Sequence, residues 1–389
     1  MAKELAHITK GTQLTQAEFE HIDLHAIAGQ EQGDIIYASS ATQLSGLVHG
    51  NAGEFLQTGG DSANPSWAAI SRKNAIINGS FRVAQRGTSF TAATVPLNSD
   101  DTFLLDRWIL LSEGNDIVDV TQNSSEWIKL EVETANKQFG ILTILEAKDC
   151  LRLVGETVSL SFQAKMAAAD DNTHSLKAVV LSWSSTADTV TSDVVDAWGA
   201  TPTYVANWTA ENTPSSNTLT TSVQTFKIEG ISVDTASTTN IAVFIFCDQT
   251  DGVVDDAVFI RRVQLELGSV ATPFEFRPYG QELTLCQRYY VKQYSDLGVI
   301  GQVATVTASI TGSVLFPVHM RTTPTIVILG PSDAASHVRR VDNGGDITIT
   351  TPIIGQLNQI GYSYIWDAGG TPFTAGLGYH YNLTASIEL

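Results

Sequence analysis

The sequence predicts a mainly β protein: a short N-terminal helix and thin shaft, then a jelly-roll β-sandwich and a smaller C-terminal β-sandwich. Three observations lead there. Apolar and polar residues alternate with a period of two in many short runs. Turns rich in Gly, Asn, Asp and Pro separate those runs. Charged residues make up only 16% of 389, against about 25% in typical domains, so the chain dissolves mainly through neutral polar groups. Hydrophobic residues, at 43%, suffice for sizeable cores.

Taken in order, Thr15 and Glu18 fit a capping box, which predicts a helix over 16–28 ended by Gly29. So short a helix needs a partner surface, and 1–28 is expected to be a docking segment. Residues 29–73 scatter Ile35, Ile36, Leu44, Leu47, Phe55 and Leu56 among recurrent glycines. No stretch there closes a core, which predicts a shaft built by several copies, a homotrimer. From Asn74 the pattern is β. Val158, Leu160, Phe162, Ala164 and Met166 alternate with polar residues, as do Ile128, Leu130 and Val132, and Val263, Leu265 and Leu267. The run 241–247 reads as a strand buried on both faces, with Cys247 a small buried hydrophobe. Between 182 and 240, Ser and Thr number 23 of 59 residues and Lys227 is the only basic one. Prolines at 273 and 278 mark a second boundary, followed by helical spacing over 282–290. The expected division is 1–28, 29–73, a jelly roll over 74–283, and a tip over 284–389.

Composition excludes several classes. With 22 Lys and Arg against 41 Asp and Glu, the net charge is −19, which argues against nucleic acid as a partner. Cys150, Cys247 and Cys286 make no disulfide framework and no C-x-x-C. The longest apolar run falls far short of the ~20 residues that span a bilayer, so no membrane insertion is expected. Residues 1–11 lack the apolar centre of a signal peptide, and synthesis in a cytoplasm without secretory export is expected.

Residues 74–90 (NAIINGSFRVAQRGTSF), Leu105-Asp106-Arg107-Trp108, 259–280 (FIRRVQLELGSVATPFEFRPYG) and 282–290 (ELTLCQRYY) occur in one order. This series resembles the jelly-roll domain of bacteriophage tail-fibre and related virion-appendage proteins. The stretch 33–67 is similar to their N-terminal connector, and Met320–Pro324 (MRTTP) to a segment of fibre tips. The resemblance implies a homotrimeric, non-enzymatic appendage of the virion. It would dock to other virion proteins by its N-terminus and meet a host-surface glycan or protein with its far end. It is also similar to carbohydrate-binding jelly rolls, whose final strand often carries an aspartate at a structural calcium. Here Arg261 and Arg262 stand where acids would be expected, which weakens transfer of that site.

Sugar sites pair an aromatic platform with short polar groups. Trp198, Tyr204 and Trp208, in the Ser/Thr-rich region, are candidates. So are Tyr364, Trp366, Tyr379 and Tyr381 near the C-terminus, where 4 Lys and Arg stand against 6 Asp and Glu over 291–389. Each ring has the alternative of covering a core edge. Asp248, Asp251, Asp255 and Asp256 crowd nine residues, a composition open both to calcium and to a solvated turn; no other cofactor is expected. His21 and His25, one helical turn apart, read as a zinc pair across a trimer or as a solvated face. Gly60-Asp61-Ser62 lacks a following Asp-x-x-His, and neither G-x-S-x-G nor H-E-x-x-H occurs, so no catalysis is expected. The expected function is attachment of a phage fibre to the host surface. The alternative is a purely structural virion component, such as a head fibre, decoration protein or baseplate adaptor.

Overall fold

The computed structural model describes residues 31–389 except 42, 51–53, 59–62, 70–73, 124–125, 169–173, 236, 248–251, 295–308, 331–335, 341, 343, 350–352, 368–372, 375–376 and 378. The expected helix over 16–28, with His21 and His25, and Ser62 lie outside the described residues. The chain divides into two units, Met1–Arg72 and Lys73–Leu389.

In the first unit, Ile35–Ser40 pairs antiparallel with Gln43–Leu47, and Glu54–Gln57 with Ser66–Ala69. Trp67 Nε1 donates to Val48 O at 2.6 Å, tying one hairpin to the other. Two-stranded ribbons have no second layer on which to bury a face. Ile36, Leu44, Val48, Phe55 and Leu56 are accordingly about half exposed in the single chain.

The second unit opens with a sandwich of two antiparallel sheets. One runs in the order Trp208–Ala210, Ser175–Trp183, Asn240–Cys247, Phe139–Leu145, Ile109–Ser112, Thr102–Phe103, with Asn217–Thr218 also on Ser175–Trp183. The other runs Gln224–Ser232, Thr157–Met166, Ala257–Leu267, Trp127–Val132, Val118–Asn123, Ser89–Phe90. Between them lies the main core, which takes Val158, Leu160, Phe162 and Ala164 from one sheet and Ile141, Val243 and Ile245 from the other. The period-two alternation read in the sequence is this inward face, except at Leu267, which is half exposed.

Asn240–Cys247 is buried at every residue because its sheet is covered on both sides. Its outer face carries Leu142, Phe244, Phe246, Val179 and Leu181, and over these pack Val194, Trp208, Tyr289 and Leu389. Gly140 pairs with Phe246 beside the stacked rings of Phe244 and Phe246 (4.9 Å, 18°). A Cβ on Gly140 would stand 2.6 Å from Ile245 O and 2.7 Å from both phenylalanines.

The segment beyond 283 shares the unit with the sandwich. The helix is Tyr279–Gln287, starting and ending three residues before the expected 282–290, because Pro278 O accepts the first free amides, from Gln281 and Glu282. The chain then turns Tyr289 into the sandwich's outer layer and enters an unexpected strand, Tyr290–Tyr294. Three three-stranded sheets surround a separate core of Val291, Phe316, Met320, Ile328, Phe373 and Leu383, among others. Glu388 returns to the sandwich, where its carboxylate meets Arg86 at 2.8 Å and Arg107 at 2.5 Å, all nearly buried.

Candidate functional site

The outer face of the sheet centred on Thr157–Met166 is polar and partly open. Ser161 pairs with Lys227 on one side and Gln264 on the other; Gln163 pairs with Thr225 and with Arg261. Between those two positions the register of Ala257–Leu267 slips. Ile260 and Val263 both point into the core, so Arg261 and Arg262 share the outer face, with Arg262 at φ 53°. A bulge of this kind re-aims a side chain, here two guanidinium groups side by side.

The chain leaving that strand folds back as a wall. Ala271 N donates to Glu229 Oε1 (2.9 Å), Thr272 N to Glu266 Oε1 (2.7 Å) and Glu275 N to Gln264 Oε1 (2.8 Å). Lys227 Nζ donates to Ala271 O at 3.2 Å. The wall presents Phe274 and Phe276 edge to face at 5.0 Å, and Phe276 is half exposed. Sheet and wall enclose a cleft of about 340 Å³ lined by Ser161, Gln163, Thr225, Lys227, Arg262 and Phe276 together with Phe162 and residues 271–274. Its size suits a small ligand.

Among the described residues, no carboxylate lines the cleft. Arg262 Nη2 donates to Glu126 Oε2 at 3.0 Å, its Cζ lies 4.8 Å from the Phe276 centroid, and its Nε has no hydrogen-bond partner. Arg261 Nε donates to Gln163 Oε1 at 2.8 Å, with its Cζ 4.2 Å from the Trp127 centroid. Burial, and then the charge of Arg262, hold the Arg261 guanidinium below its usual range against the opposing pull of Glu126. The cleft thus brings together an aromatic face, two cations and an amide.

The rings expected as sugar platforms lie elsewhere. Trp208 is buried, its ring 5.2 Å from that of Trp183 and its Nε1 donating to Thr191 O at 3.0 Å. Trp198 packs edge-on to Phe244 at 5.9 Å. Tyr204, whose hydroxyl is enclosed, is pushed up to about 12 by burial. The three rings are brought together, but as the cover of the sandwich's apolar outer face, which corrects the platform reading for buried Trp208. Tyr379 and Tyr381 are likewise corrected: both are buried in the C-terminal core, and Tyr379 Oη accepts from Thr374 N at 2.7 Å. Tyr364 and Trp366 fall on the strand Gly361–Asp367, opposite Gly312 and Ile310.

Of the four aspartates, Asp248 and Asp251 lie outside the described residues. Asp256 is buried, accepts from Val253 N at 3.1 Å and lies 3.3 Å from His174 Nε2; Asp255 occupies the exposed turn before it with φ 74°. Those contacts give Asp256 a structural role in a turn. Among the described residues, no three His, Cys, Asp or Glu side chains converge as a metal site.

The cleft residues Gln163, Lys227, Arg262 and Phe276 were absent from the sequence-based site. Two signals did bear on them: Lys227 as the sole basic residue of its region, and the adjacent Arg261 and Arg262.

No protein-family model and no curated protein sequence matches the chain. Among solved structures it is similar to the enzymatically active domain of tailspike protein 4 of bacteriophage CBA120, at 14% identity and a TM-score of 0.30. That match covers 52% of this chain and 22% of the other, so the chain spans about a fifth of the tailspike's length. It is also similar to a CBM4 carbohydrate-binding module (13% identity, TM-score 0.29, covering 49% and 97%). A third similar structure is the CBM22-1 xylan-binding domain of Paenibacillus barcinonensis Xyn10C (14% identity, TM-score 0.27, covering 44% and 93%). Likenesses of this size bear on neither activity nor ligand.

Proposed function

We propose that this protein is an attachment component of a phage virion, with a jelly roll that holds a host-surface glycan in the cleft around Gln163, Lys227, Arg262 and Phe276. The observation that carries glycan binding is the cleft itself: a half-exposed phenylalanine beside amide, hydroxyl and cationic donors. Sugars present apolar C–H faces edged by hydroxyls, and that lining matches both features. The order of the sequence segments that resemble tail-fibre proteins supports the virion assignment. The half-exposed apolar residues of the two N-terminal hairpins support a trimer, in which neighbouring chains cover them. Docking to the particle through 1–28 completes the proposal.

The test is a glycan array probed with the full chain, followed by light scattering of the same sample. Binding that Phe276→Ala weakens about tenfold, about 1.4 kcal/mol, is the expected result, without release of reducing sugar. Light scattering should give three times 41.8 kDa. Absence of binding to any glycan overturns the attachment reading in favour of a structural virion component. A folded monomer overturns the trimer.

A further inference from the structure

The cleft's charge is opposite to that of the chain. The protein carries a net charge of −19, yet among the described residues Lys227 and Arg262 enter the cleft and no acid does. They stand on the two strands that flank Thr157–Met166, hence roughly 10 Å apart across two interstrand spacings, a span that a sugar unit can bridge.

Their nearest acids leave charge to spare. Glu126 is shared by Arg262 at 3.0 Å and Arg261 at 3.9 Å, so two guanidinium groups face one carboxylate. Among the described residues, the Arg262 side chain makes its one hydrogen bond there, through Nη2. Glu229 lies 3.8 Å from Lys227 Nζ and already accepts from Ala271 N. The Arg262 Cζ lies 4.8 Å from the Phe276 centroid, beside the ring, and a guanidinium is a forked donor that matches a planar carboxylate better than a hydroxyl.

We propose that the cleft selects acidic saccharides, those bearing a carboxylate such as a uronic acid, over neutral ones; this rests on the glycan-binding reading above. The sugar ring lies against Phe276 while its carboxylate accepts from Arg262, and Lys227, across the cleft, adds the attraction of a second positive charge. Charge-assisted bonds of this kind are about twice as strong as neutral ones.

The experiment uses the full chain on an array containing neutral, uronic-acid, sulfated and phosphorylated glycans. Calorimetry then compares the best acidic member with the same glycan after reduction of its carboxyl to a primary alcohol. Binding concentrated on carboxylate members, roughly tenfold weaker after reduction and weaker again from about 50 to about 500 mM NaCl, is expected. Arg262→Ala and Lys227→Ala each lower affinity for the acid more than for the reduced glycan, which narrows the gap between the two. Lys227 is half exposed, so its variant remains informative should Arg262→Ala fail to fold. Equal binding of the reduced glycan, or binding confined to sulfated or phosphorylated members, overturns the carboxylate assignment and leaves glycan binding standing. Binding to no glycan overturns both.

Discussion

Glu388→Gln should weaken the whole second unit, although residue 388 stands one place from the chain's last residue. The carboxylate bonds Arg86 and Arg107, and the three side chains are 6%, 7% and 3% exposed. Removing one member of a buried ion pair costs about 3–5 kcal/mol, because the partner's charge stays buried. The surroundings place the cost at the lower end. Arg86 keeps a second acid, Asp106, whose carboxyl burial pushes up and Arg86 pulls down. Loss of the Glu388 charge lets Asp106 ionise more readily and compensate Arg86. Arg107 retains the Ile144 carbonyl, the Tyr289 ring 3.8 Å from its Cζ, and the field of Asp149. The expected loss is therefore about 3 kcal/mol, a large share of a typical stability of about 5–15 kcal/mol. Urea unfolding followed by tryptophan fluorescence measures it, with Lys129→Ala as the control. Lys129 and Glu131 are each about a quarter exposed, and such a pair contributes under about 1 kcal/mol. A Glu388→Gln loss no larger than that of Lys129→Ala would refute the reasoning, because the clamp would then be solvated in solution.

Gly140→Ala should cost at least about 1–3 kcal/mol, since the new methyl meets backbone and two phenylalanines at 2.6–2.7 Å; Gly280→Ala, with nothing within 4 Å, should leave stability unchanged or slightly raised, and equal melting temperatures for the two variants would contradict this. Burial alone would raise the Glu146 carboxyl, but hydrogen bonds from Arg288, Lys148 and Tyr289 outweigh it and hold the group below its usual 4.5. A carboxylate so lowered stabilises the fold above pH 4.5, and its contribution is lost as pH falls through the lowered value. Glu146→Gln should therefore unfold at lower urea than the parent at pH 7, with the gap narrowing as pH falls below 4.5; a gap constant with pH would rule out the linkage.

Much of the fold follows from local pattern. The alternation over Val158–Met166 assigns one face of Thr157–Met166 to the core because a strand's side chains alternate by geometry, whatever its neighbours. The unbroken apolar run 241–247 likewise implies cover on both faces. What provides the cover on the outer side was not local. Trp198, Tyr204 and Trp208 sit in a Ser/Thr-rich stretch that reads as exposed, and only the tertiary structure lays them over Phe244 and its neighbours. Tyr379 and Tyr381 were ambiguous for the same reason, since an aromatic side chain fits a binding surface and a core equally well.

The cleft depended on tertiary structure more completely. Gln163, Lys227, Arg262 and Phe276 come from three strands and a returning wall, and strand pairing over long sequence separations brings them together. The slip that puts Arg261 and Arg262 on one face is a property of that pairing, since strict alternation would have sent one of them inward. The sequence by itself determined which residues alternate, where turns fall and how acidic the chain is, because those depend on neighbours along the chain. Which cations meet which rings was decided by strand register and by the fold-back of 268–276, and no local pattern carries that information.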